Sequence, residues 1–321
     1  MDISVIIPLY NEEESLEKLF TWIRQVMTAN GFSYEVIFVD DGSKDGSWKV
    51  IERLANDNAE TVKAVRFSRN YGKSAALNVG FEYSAGNVVV TMDADLQDSP
   101  EEIPELYSMV MNEGYDLVSG WKKKRYDAKL TKNIPSKFYN ATTRAITGIK
   151  LHDFNCGLKA YRQDVVKSIE VYGEMHRYIP VIAKGAGFTN IGEKVVQHRK
   201  REFGVSKFGM NRFIHGYLDL ISIIFILKFG KKPMHFFGLW GSIMFIIGIS
   251  ITIIMGLQKI IAGCEGIQMR LITNSPYFYI ALTTMIIGCQ LFLAGFLADM
   301  IGRNSPTRNS YLISKKKNID L

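Results

Sequence analysis

The stretch 88-VVVTMDADLQDSP-100 places a cluster of polar side chains directly after an apolar run that is as long as a β-strand. A strand that is buried on both faces is rich in Val and Ile, and an unpaired carboxylate is costly there. Three acids with Gln97 among them therefore need an explanation, and they are Asp93, Asp95 and Asp98. Either these side chains lie past the end of the strand as solvated loop and helix-cap residues, or they hold a cation.

The alternation of strand and helix runs through the first 120 residues of the chain. Four further strand-like runs alternate with helical segments, and they are "ISVIIPL" (3–9), "YEVIFVDDGS" (34–43), "VKAVRFS" (62–68) and "YDLVSGW" (115–121). Five short strands with crossover helices predict an α/β fold with a mostly parallel, doubly wound sheet. Ligands bind beyond the carboxyl ends of the strands in such sheets. Polar clusters fall at these ends and predict a binding site there: Tyr10–Glu12, Asp40–Ser43, Ser68–Asn70 and Asp93–Gln97.

The composition of the 321-residue chain limits its partners. The formal net charge is +7 and the sequence pI is about 9.1, which favours anionic partners such as nucleotides or lipid headgroups. Nucleic acid is disfavoured, because the basic residues lie beside a carboxylate site and a membrane flank rather than on one continuous face. Three widely spaced cysteines exclude a disulfide framework and predict reduced, buried thiols: Cys156, Cys264 and Cys289.

Hydropathy separates a charged, globular part of the chain from an apolar part that begins near residue 233. Residues 235–257 carry no charge and residues 277–302 carry only Asp299, and each stretch reaches the roughly 20 residues that a membrane-spanning helix needs. Lys and Arg flank this pair, so the positive-inside rule predicts a cytoplasmic domain and tail, whereas a buried soluble hairpin is the alternative. The predicted parts are an α/β domain (1–206), juxtamembrane amphipathic helices (207–232), a two-helix transmembrane hairpin (233–302) and a basic tail (303–321).

The acids after the fourth strand match the ligands of a hard cation. Asp93 and Asp95 are spaced i, i+2 around Ala94 at a tight strand exit, so their oxygens can converge, and Gln97 can add a neutral oxygen. Such oxygen ligands suit Mg²⁺ or Mn²⁺, with bound phosphates completing the shell. Asp98 precedes "SPEEI" and is interpreted instead as part of a helix N-terminus, where its charge favours the dipole.

Polar residues also follow the first, second and third strands. Asp40 and Asp41 begin "DDGS", where a carboxylate can accept a hydrogen bond from a base or can belong to a plain turn with an N-cap. Arg69 and Lys73 flank a glycine near a helix start, which is typical of a phosphate or sugar clamp, and a solvated basic turn is the alternative.

The order of these motifs resembles a known family. "PLYNEEESL", "VDDGSKDGS", "RNYGKSAALNVG" and "DADLQDSPEEIP" together are similar to the inverting nucleotide-sugar transferases of glycosyltransferase family 2, which have a GT-A (Rossmann-like) fold. "HDFNCGLKAYR", "REFGVSKF" and two C-terminal apolar helices narrow the resemblance to polyprenyl-phosphate glycosyltransferases. These are the enzymes similar to dolichol-phosphate mannose synthase and to bacterial undecaprenyl-phosphate sugar transferases.

The resemblance implies roles for particular residues. It places Pro8, Tyr10 and Glu12 along the nucleotide pocket and Asp40 opposite the base, and it makes Asp93, Asp95 and Gln97 the metal ligands. It places Asp153 near the sugar and acceptor. The candidate cofactor-binding set is Pro8, Tyr10, Glu12, Asp40, Asp41, Lys73, Asp93, Ala94 and Ser206, and the candidate catalytic set is Asp95, Asp153, Arg201 and Lys207. Trp121-Lys122 departs from the Arg that many relatives carry after "VSG", and Lys is a point charge rather than a bidentate fork.

The implied reaction is a metal-dependent, inverting transfer of a hexose from a nucleotide-diphosphate sugar to a polyprenyl phosphate at the cytoplasmic face of a bacterial inner membrane. The lipid phosphate has a second pKa of about 6, so a strong general base is not obligatory. UDP-glucose with undecaprenyl phosphate is the favoured pair, and GDP-mannose or a modified sugar is the alternative. A processive polysaccharide synthase would carry a QxxRW-type motif and more membrane helices, whereas a membrane-anchored nucleotide-sugar binder would lack turnover. The sequence leaves open whether the protein forms a homo-oligomer.

Overall fold

A computed structural model describes residues 1–123, 134–199, 222–226, 228–230, 232–268 and 270–304, with residues 134–139 and 303 as backbone alone. The chain forms two compact units, Met1–Ser222 and Ile223–Leu321, and each is described here on its own. The predicted domain boundary at residue 206 and most of the predicted juxtamembrane segment lie outside the described residues.

Within the described part of the first unit, seven strands form one sheet in the order β3-β2-β1-β4-β6-β5-β7. The strands are β1 (Ile3–Leu9), β2 (Tyr34–Asp40), β3 (Val62–Arg66), β4 (Val88–Thr91), β5 (Leu117–Trp121), β6 (Lys159–Arg162) and β7 (Ile191–Val195). The first four are parallel, which confirms the predicted α/β class.

One strand interrupts the parallel order. β6 is antiparallel to both β4 and β5, and β7 is parallel to β5. The chain leaves β5 at the carboxyl edge of the sheet and returns to β6 from that same edge, so β6 runs in the opposite direction without a crossover. The sheet is therefore mixed but mostly parallel, as predicted.

Helices cover both faces of this sheet. Their bounds are α1 (Glu13–Ala29), α2 (Ser47–Asp57), α3 (Lys73–Tyr83), α4 (Ile103–Met111), α5 (Ile134–Thr147), α6 (Gln163–Ser168) and α7 (Ile179–Gly185). One apolar cluster joins α1, α2 and α4 to the sheet, and a second joins α3, α6 and α7 to its other face. Because both faces are covered, the strands are continuous apolar runs, and polar groups gather at the strand ends.

The segment "GEMHRYIPVIAKGAG" (173–187) does not form one continuous helix. The structure divides it into a 3-10 turn, Met175–Arg177, and the short helix α7. Pro180 lies in the first turn of α7, where its missing N–H costs no hydrogen bond, but its ring disfavours a helical residue before it. The break places the 3-10 turn against the start of α3, where it becomes part of the site.

The second unit is built on two long apolar helices, Pro233–Cys264 and Pro276–Arg303. Their most apolar 18-residue windows have a mean hydropathy of 2.1 and 2.0, and only 17% of each window is buried. By length and composition they are candidate membrane spans, and they contain the predicted stretches. Cys264 and Cys289 are exposed on these helices, so the prediction of three buried thiols holds only for Cys156.

The two hairpin helices approach closely at glycine. A Cβ on Gly241 would lie 2.7 Å from the carbonyl oxygen of Gly288, and a Cβ on Gly288 would lie 2.7 Å from that of Gly241. Small residues at the contact of apolar helices allow the backbones to touch, and this packing is typical of membrane helices. The large side chains point outward instead, as Ile246 and Leu297 do.

Four phenylalanines gather where the first hairpin helix begins. The ring of Phe225 lies 5.4 Å from those of Phe229, Phe236 and Phe237, and the Lys228 ammonium lies 5.5 Å from the Phe229 ring. Aromatic and basic side chains at the end of an apolar helix are typical of a membrane–water interface. This cluster therefore fits the juxtamembrane character that the sequence predicts.

Candidate active site

The candidate site is formed by the loops at the carboxyl ends of β1, β2 and β4. β1 pairs with β2 so that Leu9 lies opposite Asp40, and β4 lies on the other side of β1. Two non-glycine residues in the described ranges have a positive φ, Asn11 (55°) and Leu96 (61°), and both lie in these loops. Strained backbone of this kind persists where the surrounding structure enforces it, commonly at functional sites.

Mutual hydrogen bonds lock the first two loops together. The backbone N–H of Asn11 donates to Ser43 Oγ at 2.8 Å, and that of Glu12 donates to Ser47 Oγ at 3.0 Å. In return, Asn11 Oδ1 accepts the N–H of Lys44 at 2.8 Å. Side chains thus satisfy amides that face outward at the starts of two helices, and the loops form one fixed surface.

The residues predicted for the nucleotide pocket lie along this surface. Pro8 is buried within β1, Tyr10 follows the strand and is partly exposed, and Glu12 is the N-cap residue of α1. Their contact with a nucleotide stays a prediction, and the structure brings all three to one end of the sheet.

Asp40 and Asp41 hold the loops that follow β2 and β3. Asp40 is fully buried, accepts the N–H of Ser43 at 2.8 Å and lies 3.4 Å from Arg66 Nε. Asp41 accepts the N–H of Tyr71 at 2.6 Å and of Gly72 at 2.9 Å, and burial raises its pKa against these bonds. Both carboxylates therefore fix backbone in this structure, and their predicted contact with a base stays a prediction.

Lys73 and Asp93 form a close ion pair across the site. Lys73 begins α3, and its ammonium contacts the Oδ1 atom of Asp93. Burial alone would raise the pKa of Asp93, but the ammonium groups of Lys73, Lys122 and Lys159 outweigh it and hold the pKa well below its ordinary value. A Cβ on Gly157 would lie 2.5 Å from Oδ2 of Asp93. The carboxylate therefore occupies space that a larger residue at position 157 would fill.

Asp95 and Gln97 occupy the strained turn after β4. Asp95 Oδ1 accepts the N–H of Gln97 at 3.2 Å, while Ala94 and Leu96 are buried and anchor the turn in the core. Gln97 is also tied to Arg199, whose N–H donates to the Gln97 carbonyl oxygen at 2.9 Å. The predicted residues Arg201, Ser206 and Lys207 follow Arg199 along the chain and lie outside the described residues.

The donor atoms at this turn fit a divalent cation. Two carboxylates and an amide oxygen are hard ligands, the kind that Mg²⁺ and Mn²⁺ take. Over the ranges that the structure describes, no group of three His, Cys, Asp or Glu side chains forms a closed cage. Mg²⁺ is commonly bound by one or two carboxylates, with waters and substrate phosphates completing its shell, so the open arrangement suits it.

Asp98 lies directly before Ser99, the N-cap residue of the 3-10 turn Pro100–Glu102, and its carboxylate pairs with a lysine. It is 1% exposed, and Lys122 Nζ lies 2.7 Å from its Oδ1 atom. Burial alone would lower the pKa of Lys122, but the Asp98 carboxylate outweighs this and raises it well above its ordinary value. The lysine that departs from the family pattern therefore neutralises a buried acid, and its charge is internal.

The segment before β6 brings Asp153 and Lys159 close to the same cluster. Asp153 is 1% exposed, and its Oδ1 atom accepts the N–H of Asn155 at 3.1 Å. Lys159 is 3% exposed and donates to the carbonyl oxygen of Cys156, and burial lowers its pKa. Lys159 is not among the predicted site residues, although a lysine within the apolar run "GLKAY" indicates a buried charge that needs a partner.

His176 lies at the start of α3, beside Lys73. Its backbone N–H donates to Ser74 Oγ at 3.0 Å, and its Nδ1 atom lies 3.1 Å from the same oxygen. Burial lowers the pKa of His176 well below its ordinary value, and the Lys73 and Arg177 charges lower it further. The ring is therefore neutral at physiological pH.

A doubly wound α/β domain with an ammonium–carboxylate cluster at the carboxyl edge of its sheet defines an enzyme class that handles anionic ligands. The family model of glycosyl transferase family 2 matches residues 4–170. The chain belongs to this family, which confirms the predicted resemblance and makes it a glycosyltransferase.

Two relatives extend the similarity over nearly the whole chain. Dodecaprenyl-phosphate galacturonate synthase of Rhizobium johnstonii is 34% identical over 304 residues, which cover 94% of this chain and 88% of the relative. Undecaprenyl-phosphate 4-deoxy-4-formamido-L-arabinose transferase of Aeromonas hydrophila is 34% identical over 301 residues, with 94% and 88% covered.

Among solved structures, glucosyl-3-phosphoglycerate synthase from Mycobacterium tuberculosis in complex with UDP shares the fold. The TM-score is 0.52 at 21% identity, and the match covers 70% of this chain and 79% of that chain. A complex of the same enzyme with Mn²⁺, UDP-glucose and glycerol 3-phosphate gives a TM-score of 0.51, also at 21% identity, with 70% and 79% covered. At this identity the likeness confirms the fold alone.

Proposed function

We propose that the protein transfers a sugar from a nucleotide-diphosphate sugar to a polyprenyl phosphate, with inversion at the anomeric carbon. The observation that carries the proposal is the Lys73–Asp93 pair beside the strained Asp95–Gln97 turn, at the edge of the sheet where ligands bind. The names of the two relatives supply the acceptor class, since both specify a polyprenyl phosphate.

Asp93, Asp95 and Gln97 would hold a divalent cation, Mg²⁺ or Mn²⁺. When bound, such an ion supplies positive charge that stabilises the leaving nucleoside diphosphate. The fold neighbours support this assignment, because one of their complexes contains Mn²⁺ together with UDP-glucose. Asp93 is ready for this task, because the neighbouring lysines keep its carboxylate ionised.

The cationic side chains of the protein would bind the diphosphate. Lys73 contacts Asp93 and lies in the first turn of α3, where backbone N–H groups and the helix dipole also favour an anion. Arg201, Ser206 and Lys207 are proposed to bind phosphate oxygens. The hydrogen bond between Arg199 and Gln97 supports this, because it fixes the chain two residues before Arg201 beside the metal motif.

The chemical step is a direct displacement. An anionic oxygen of the lipid phosphate attacks the anomeric carbon, and the bond from that carbon to the diphosphate oxygen breaks, so that the nucleoside diphosphate leaves with the electron pair. The acceptor is already ionised, so proton abstraction is not required. Asp153 is buried and bonded within its own loop, which fits a role in orientation or electrostatics better than a role as a base.

The donor is proposed to be a UDP-sugar. The solved fold neighbours include complexes with UDP and with UDP-glucose, whereas the relatives' names specify galacturonate and 4-deoxy-4-formamido-L-arabinose. A modified sugar therefore takes precedence over glucose as the transferred group, and UDP-glucose is the second candidate.

The protein is proposed to span a bacterial inner membrane twice, with its catalytic domain in the cytoplasm. Membrane insertion is supported by the two apolar helices, which pack closely at glycine residues, and by the phenylalanine–lysine cluster. The hairpin would keep the enzyme in the bilayer that contains its lipid acceptor.

The test uses the full chain purified in detergent, with undecaprenyl phosphate, Mg²⁺ or Mn²⁺, and a donor panel. The panel contains UDP-glucose, UDP-galacturonate, UDP-4-deoxy-4-formamido-L-arabinose and GDP-mannose, and both lipid-linked sugar and released nucleoside diphosphate are measured. We expect one donor to give a lipid product that EDTA abolishes. Nucleotide binding without turnover of any donor would overturn the proposal in favour of a non-catalytic binder.

A further inference from the structure

An acidic residue of β7 holds the loop that carries Asp153. Glu193 lies in the middle of β7, and its Oε1 atom accepts the N–H of His152 at 2.7 Å and of Asp153 at 3.1 Å. Its Oε2 atom lies 2.7 Å from His152 Nδ1. One carboxylate thus bonds two consecutive backbone amides and the ring of the first residue.

An aromatic contact holds the same loop from a second strand. The His152 ring is stacked on Trp121 with a centroid distance of 4.1 Å and an interplanar angle of 13°. Trp121 ends β5, which pairs with β7 so that Ser119 lies opposite Glu193. Because Glu193 accepts from Nδ1, the ring nitrogen there carries the hydrogen, and this fixes the ring orientation.

Two further hydrogen bonds of the loop are longer than those to Glu193. The N–H of Phe154 donates to Asn140 Oδ1 at 3.4 Å, and Ser119 Oγ donates to the Asp153 carbonyl oxygen at 3.4 Å. The contacts of Glu193 are shorter, and hydrogen bonds to an ionised acceptor are roughly twice as strong as neutral ones. Glu193 is therefore a strong anchor of the loop at residues 152–153.

We infer that Glu193 is a positioning residue for the transfer reaction, acting through the backbone of His152 and Asp153. The inference rests on the proposed function, because it assumes that Asp153 works beside the reacting sugar. Asp153 and Asp93 both lie near the Lys159 ammonium, and a catalytic group that shifts by about 1 Å can cost about 100-fold in rate. The Glu193 side chain is 11% exposed, whereas the His152 side chain that it contacts is 52% exposed.

Three variants separate positioning from general stability. Glu193→Ala removes all three contacts, whereas Glu193→Gln keeps an oxygen that can accept both backbone N–H groups. His152→Ala leaves those two bonds intact and removes only the ring. Glu52→Ala is the matched control, because Glu52 is an exposed acid on α2.

The kinetic result expected is a loss in kcat rather than in donor binding. Glu193→Ala lowers kcat by about 30- to 100-fold while the donor KM changes less than about threefold, since the loop positions a group instead of binding the nucleotide. Glu193→Gln recovers to within about tenfold of wild type, and His152→Ala falls between the two. Unchanged kcat in Glu193→Ala, or no recovery in Glu193→Gln at equal thermal stability, would overturn the inference.

Hydrogen exchange on the same proteins tests the clamp without turnover. In Glu193→Ala the amides of residues 152–153 exchange at least about tenfold faster, while those of β7 and α2 stay as in wild type. Glu193→Gln keeps the protection. A wild-type protein that turns over no donor defeats the proposed function, whereas unchanged exchange in Glu193→Ala defeats the positioning role. If Glu193→Ala does not fold, Glu193→Gln and His152→Ala decide the outcome by the same two measurements.

Discussion

At the amino-terminal end of the sheet Glu35 is buried in a hydrogen-bonded network, whereas at the carboxyl end Asp93 pairs with the partly exposed Lys73. Glu35 accepts from Ser4 Oγ at 2.5 Å and from the N–H of Ala85 at 2.7 Å, and Lys63 Nζ lies 2.5 Å from its second oxygen. Asp93 is partly exposed and forms an ion pair with Lys73.

The two ends also differ in backbone strain. Asn11 and Leu96, the non-glycine residues with positive φ in the described part of the chain, both belong to the carboxyl end. Buried charge at the amino end is paired with fixed neighbours and serves stability. At the carboxyl end the Lys73–Asp93 pair stays partly exposed and lies beside strained backbone, which is typical of a ligand site.

The largest difference between the ends should appear on removal of one charge. Asp95→Asn keeps the size of the side chain but removes a metal-ligating charge, so turnover should fall by about 10³-fold or more. Thermal unfolding in detergent should stay within about 2 °C of wild type, because the residue lies in a loop. Near-normal activity in the product assay would remove the metal assignment.

Two glycines provide a matched pair. A Cβ on Gly157 would meet the movable carboxylate of Asp93 at 2.5 Å, whereas a Cβ on Gly86 would meet the backbone N of Ser4 at 2.5 Å. Gly157→Ala should therefore lower turnover by about 100-fold with little change in stability. Gly86→Ala should instead lower the free energy of unfolding by about 1–3 kcal/mol, because the backbone cannot give way as a side chain does.

Urea unfolding and turnover, measured on both glycine variants, check this pair. Equal losses of activity and stability in the two proteins would show that the ends of the sheet are not functionally distinct.

Removal of the Glu35 charge should affect stability alone. Glu35→Gln should lower the free energy of unfolding by about 1–3 kcal/mol at pH 7 with unchanged kcat. Burial would raise the pKa of Glu35, but Lys63 and the hydrogen bonds outweigh it and lower the pKa. This stabilisation is therefore present above the unfolded pKa of about 4.3 and is lost as the pH falls through the lower folded value. A difference between wild type and variant that persists unchanged at pH 3 contradicts this account.

The smallest effect expected concerns His176. Its folded pKa lies below the unfolded value of about 6.5, so below that pH the unfolded chain binds a proton that the folded protein does not. Stability should then fall with decreasing pH by up to about 1.4 kcal/mol per unit, and His176→Gln should lack this share. Unfolding curves at pH 7.5, 6.5 and 5.5 measure the difference, and parallel curves for the two proteins would contradict the buried neutral ring.

Much of the architecture could be read from local patterns. The amphipathic sequence "EESLEKLFTWIRQVMTA" forms α1, and all five expected strands are present, with their carboxyl ends at one edge of the sheet. The hairpin helices follow from length and hydropathy, and the order of motifs indicates the family. Such features depend on neighbours within about 20 residues, so the periodicity of the chain records them.

The pairing of the site residues depends on the fold. Lys73 meets Asp93, Lys122 neutralises Asp98, and Glu193 holds the loop of Asp153, although each pair is separated by 20 to 40 residues. β6 lies antiparallel between β4 and β5, and this order brings Lys159 close to the Lys73–Asp93 pair. The amino-acid sequence shows which side chains are present and at which end of a strand each of them lies. Which charges face each other follows from the strand order and from burial, which makes an unpaired charge too costly to leave inside the protein.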